Sequence, residues 1–186
     1  MKLRLLATLI LLAVAGSSAV AQQHQTQVNN SSAPTTSAQS ASRDATREKM
    51  RAVLAETGPK INVAFRQSDK QPYNFVGLMT GLTNADSLEI VILISDQDTI
   101  HFRIFPKYKG SYVNVDKASN SAGLLRLMSR LSDKNFLYWG ADDSFDVFAG
   151  YNFTLESGFP AESVKVVLNS IKALDQYVGQ MRSSLD

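Results

Sequence analysis

Apolar residues recur with two different periods along this 186-residue chain, and the switches between them mark out the elements. From Asp44 the spacing predicts a helix with Met50, Val53 and Leu54 on its apolar stripe, and Gly58-Pro59 stops it. The period then falls to two. Ile61, Val63 and Phe65 alternate with Asn62, Ala64 and Arg66, and residues 74–82 form a further extended run. Residues 88–94 are almost wholly aliphatic, as expected of a strand covered on both faces. Ser95-Asp96-Gln97-Asp98 has turn chemistry, and Ile100, Phe102 and Ile104 share one side of the returning strand. The pair reads as an antiparallel hairpin.

Residues 119–132 carry Leu124, Leu125, Leu127, Met128 and Leu131 at helical spacing. A short strand is expected over 136–140, then a turn at Asp142-Asp143-Ser144. Phe145, Val147, Ala149, Tyr151, Phe153 and Leu155 occupy consecutive odd positions, which predicts a long strand. A final helix opens at Pro160, and Val164, Val167, Leu168, Ile171, Leu174, Val178 and Met181 form one face long enough to cross a sheet. The order α-β-β-β-α-β-β-α, dominated by hairpins, predicts an α+β fold: an antiparallel sheet with helices packed mainly on one face.

That arrangement leaves a second sheet face. Val91, Leu93, Phe105 and Phe148 point away from the set that meets the helices, and Tyr138 joins them in one register. Either the middle helix or the 67–86 segment covers these residues, or they form a patch for a partner or a second copy. On the latter reading, charging Val91 and Phe148 abolishes association without unfolding the monomer.

The first 21 residues have the pattern of a signal peptide. Lys2 and Arg4 precede an apolar run from Leu5 to Val14, and Ala19-Val20-Ala21 is a small-x-small cleavage site. The run is too short for a membrane span of about 20 residues, and cleavage there points to a periplasmic or secreted, bacterial protein. Residues 22–43 read as a disordered polar leader, because 22–42 contain no Asp, Glu, Lys or Arg and Val28 is their only large aliphatic side chain. A single domain is expected over 44–186.

Charge changes the picture once Lys2 and Arg4 are set aside. The formal +2 vanishes and 17 basic residues face 17 acidic ones, a balance that argues against nucleic acid as a partner. Cysteine is absent, which excludes thiol catalysis and thiolate metal sites. The two histidines, His24 and His101, supply no zinc-site spacing, and His101 sits between Ile100 and Phe102 as an ordinary sheet-face residue. Asp142, Asp143 and Asp146 lack the spacing of a calcium loop and read as a hairpin turn. No nucleophile elbow or phosphate-binding loop is present. The expectation is a non-enzymatic protein without a cofactor.

The succession from Leu124 to Met181 carries more. It holds a Leu-rich helix, a short strand, an Asp turn, a long strand, a Gly158-Phe159-Pro160 break and a final amphipathic helix. From about Asp44 onward the chain resembles the YbjN-like family, whose fold is like that of type III secretion chaperones. The resemblance implies a small domain without known catalytic residues, often dimeric, that holds an extended partner segment. With the signal peptide it reads as an exported variant of that fold. The functional expectation is a binding or chaperone-like module for a protein or peptide, with Val91, Leu93, Phe105, Tyr138 and Phe148 as its candidate partner face. The alternative is a carrier of a small apolar molecule or lipid that uses the same aromatic residues as a pocket lining.

Overall fold

The computed structural model describes residues 36–186 apart from Asn135. The expected signal segment and residues 22–35 of the expected leader lie outside the described residues. Helix α1 (Thr36–Thr57) leads into strands β1 (Arg66–Gln67), β2 (Asn74–Met79), β3 (Ser87–Ile94), β4 (Thr99–Tyr108) and β5 (Ser111–Tyr112). Helix α2 (Ser121–Lys134), strands β6 (Tyr138–Ala141) and β7 (Val147–Thr154), and helices α3 (Ala161–Ser170) and α4 (Leu174–Leu185) follow, the last two joined by a 3-10 turn. Among the described residues seven strands form one sheet in the order β1-β2-β3-β4-β7-β6, with β5 paired to β4. All pairings are antiparallel.

The fold is the expected α+β arrangement with its helices on one side. The inner face of the sheet presents Phe75 and Met79, then Leu88, Ile90, Ile92 and Ile94, then Ile100, Phe102 and Ile104, then Val147, Ala149 and Phe153. These side chains share one buried cluster with Met50 and Leu54 of α1, Leu124, Met128 and Leu131 of α2, and Val164 to Met181 of the C-terminal helices. Phe102 meets Phe153 edge-on at 6.0 Å between ring centroids. The loop between β2 and β3 is tied to α4 by two residues. The Asp175 carboxylate accepts the backbone N–H of Thr83, Asn84 and Ala85 at 2.8–2.9 Å. Arg182 donates to the carbonyls of Thr83 and Asn84.

Three expectations need correction. Helix α1 starts at Thr36, so residues 36–43 of the expected disordered leader are helical. Docking explains it. Gln39 donates to the Asp96 carbonyl, and Arg43 donates to the Ile94 carbonyl while its guanidinium lies 3.7 Å from the centre of the Tyr73 ring. Asp44 is therefore inside the helix, where it pairs with Arg47 and accepts from the Tyr73 hydroxyl.

The alternation at 61–65 is not a strand. Asn62 turns left-handed at φ 56°, and the N–H of Val63 bonds back to the Gly58 carbonyl. A Cβ at Gly58 would sit 2.6 Å from the Val63 carbonyl oxygen, so only glycine allows this close return. Phe145, counted with the long strand, lies instead in the preceding turn at φ 62°, half-exposed. The Asp142 carboxylate explains this, because it accepts the N–H of Ser144 and Asp146 and draws the turn tight around Phe145.

Candidate functional site

The alternation of period two that fills the core sends its other half to the opposite face of the sheet. Two cross-strand rows organise the centre of that face. One runs Val76–Val91–Arg103–Gly150–Tyr138. Beside it runs Leu78–Glu89–Phe105, with Phe148 next in register and Gly140 paired to Phe148. The five candidate residues Val91, Leu93, Phe105, Tyr138 and Phe148 thus share one face. Helix α2, which had been a possible cover, packs inward through Leu124, Met128 and Leu131. The 67–86 segment supplies β2, which widens the sheet and adds Val76 and Leu78 to the same face.

The aromatic residues form a continuous line. Tyr112 meets Phe105 at 5.9 Å, Phe105 meets Phe148 at 5.7 Å, and Phe148 meets Tyr138 edge-on at 6.0 Å. Phe148 is only 6% exposed yet does not belong to the helix-side cluster, so its burial comes from its own face. Tyr138, at the outer end of the line, is 38% exposed. Two glycines give the rings room. A Cβ at Gly140 would stand 3.1 Å from the Phe148 ring, and one at Gly150 would stand 2.6 Å from the Tyr138 ring.

Gly150→Val is therefore expected to swing Tyr138 off Phe148. The obstacle is the far end of one side chain, so stability should change by less than about 1 kcal/mol. Loss of the nuclear Overhauser contacts between the two rings, with an almost unchanged melting temperature, is the expected result.

Charged residues border the aromatic line. Lys107 pairs with Glu89 at 2.9 Å, and the Tyr112 hydroxyl donates to Glu89 at 2.8 Å. Burial pushes the Glu89 carboxyl up, but Lys107 and Tyr112 outweigh it and hold the group below its ordinary value. The same Glu89 bond raises the Lys107 ammonium. Burial, reinforced by Glu89, raises the Tyr112 phenol. Arg103 lies with its guanidinium 4.8 Å from the centre of the Phe148 ring. His101 bonds through Nδ1 to the Asn152 side chain at 2.9 Å. An open cleft of about 310 Å³, lined by Arg66, Val76, Leu78, Glu89 and Lys107, continues the face toward β1.

Arg103, Tyr112 and the two glycines were not among the candidates read from sequence. Arg103 is two residues from Phe105 and shares its face by simple alternation, a signal available to any reading that does not restrict itself to apolar residues. Tyr112 gave no such signal, because β5 is two residues long. Among the described residues no group of three or more acidic or histidine side chains is placed to hold a metal ion. No described helix is long and apolar enough to cross a membrane.

No family model matches the chain, and no curated protein matches it. Among solved structures, it is similar to one chain of a structure described as "Crystal Structure of the ExsC-ExsE Complex". The two are 14% identical with a TM-score of 0.42, over 75% of this chain and 96% of that one.

Proposed function

We propose that this protein is an exported, non-enzymatic module that binds a protein or peptide partner on the open face of its sheet. One observation carries the reading. The line Tyr112–Phe105–Phe148–Tyr138, flanked by Val76, Leu78, Val91 and Leu93, lies on the side opposite the helices. An apolar strip of this kind, bordered by charged and hydrogen-bonding groups, has the composition of a recognition surface. The pattern of residues 1–21 supports export, and the resemblance of residues 124–181 to the YbjN-like family supports a binding role.

The test is crosslinking of the protein in its native compartment, followed by affinity purification that keeps the small-molecule fraction. A reproducible protein partner that disappears when Val91 and Phe148 are both changed to Asp, in a variant that still folds, is expected. A bound lipid or metabolite without a protein partner overturns the reading in favour of a carrier. Unfolding of the single variant Val91→Asp would return that residue to the core and remove the face from consideration.

A further inference from the structure

We infer that the open face selects a partner segment bearing a carboxylate beside an apolar or aromatic side chain, with Arg103 receiving the carboxylate. The inference rests on the proposed binding role of the face and adds the chemistry of what binds there. Arg103 occupies the middle of the central row, between Val91 on β3 and Gly150 on β7. Neither neighbour offers it a polar side chain. Among the described residues no carboxylate or carbonyl meets its guanidinium, whose central carbon lies over the Phe148 ring at 4.8 Å from the centroid.

The other charges nearby are engaged. Lys107 is matched by Glu89 at 2.9 Å, and Arg66 has Asp69 at 3.9 Å. Asp146, at the head of β7, accepts from Asn114. Arg103 is therefore an unmatched cation in the centre of an aromatic strip. A guanidinium placed over a ring face keeps N–H groups free to grip a carboxylate with two parallel bonds. The Tyr138 ring, 38% exposed at the end of the line, lies beyond Phe148, where it can receive an apolar side chain of the same segment.

Charge also decides among occupants. A second copy docked face to face would bring two unmatched Arg103 side chains into one interface, with Glu89 already committed to Lys107 on each side. The chain's own residues 22–42 contain no acidic residue and only one large aliphatic one. An acidic segment of another protein is the occupant that complements the face.

The test is selection of a displayed random peptide library on the protein as purified from the cell, repeated on Arg103→Glu, Arg103→Lys, Val91→Asp and Phe148→Asp. Peptides selected by the unchanged protein should be enriched in Asp or Glu next to Phe, Tyr or Leu. Their affinity should fall about tenfold on Arg103→Glu and weaken with added salt, while Arg103→Lys keeps part of it. Val91→Asp places a carboxylate directly across from Arg103 and should erase the acidic preference from within. Arg103 is exposed, so folding of its variants is expected to survive, and circular dichroism checks it.

Peptides that are lost on Phe148→Asp yet show no acidic enrichment would overturn this inference and leave the binding face standing. The same holds for acidic peptides indifferent to Arg103→Glu. A selection that yields no peptide sensitive to the face overturns both.

Discussion

Asp175→Ala should destabilise the domain by about 1–3 kcal/mol, because it strips a buried acceptor from three backbone donors, of which Ala85 is buried and Asn84 partly so. Asp175 is only 9% exposed and accepts the N–H of three consecutive residues, Thr83, Asn84 and Ala85, along with the Asn84 amide. The alanine variant leaves these groups with the Arg182 bonds on the carbonyl side and nothing on the amide side. Asp175→Asn, which keeps one oxygen but not the charge, should lose about half as much.

The pH dependence has a definite sign. Burial raises the Asp175 carboxyl, but the N–H groups of Ala85, Asn84 and Thr83 outweigh it and leave its folded pKa below the unfolded value. The stabilisation is therefore fully present above the unfolded carboxylate pKa. It is lost as pH falls through the lower folded value. Denaturant titrations at pH 7 and at progressively acidic pH should show the gap between the unchanged protein and Asp175→Asn closing below about pH 4. A gap that stays constant into acid would mean that the carboxylate is not what holds the loop.

The second large effect lies on one strand and separates its two faces. Phe102→Ala should cost about 3–5 kcal/mol, since the side chain is fully buried among the helices and meets Phe153 edge-on. Phe105→Ala, three residues on along β4 and on the other face, should cost about 1–2 kcal/mol, because its ring is half-buried against Tyr112 and Phe148 without a covering layer. Equilibrium unfolding of both variants reads the difference. Binding should show the reverse order, with Phe105→Ala weakening the partner and Phe102→Ala leaving the affinity of the folded fraction unchanged. Equal losses of stability would show that the face opposite the helices is covered.

Much of this fold is legible because local chemistry and tertiary packing agree. The hairpin of β3 and β4 follows from an aliphatic run, a Ser-Asp-Gln-Asp turn and a returning alternation. The C-terminal helices follow from a single stripe, Val164 to Met181, with the helical period. Where the two disagree, the reading fails. Ile61, Val63 and Phe65 alternate as a strand does, but the close approach of Gly58 to the Val63 carbonyl turns the segment back on α1. Residues 36–43 are too polar to order themselves, and they form a helix because Arg43 reaches the end of β3 and Tyr73, contacts more than twenty residues away in the chain.

The candidate site divides along the same line. Alternation by itself assigned Val91, Leu93, Phe105 and Phe148 to one side of the sheet, because a strand offers a side chain only two directions. Which side the helices would cover, and whether Tyr138 would stand beside Phe148, depended on register and on the packing of α2 against α4 and β6. Those are set by contacts between segments far apart in sequence. The same is true of Arg103, whose charge any reader can count. Its isolation from every carboxylate among the described residues emerges only when five strands are laid side by side.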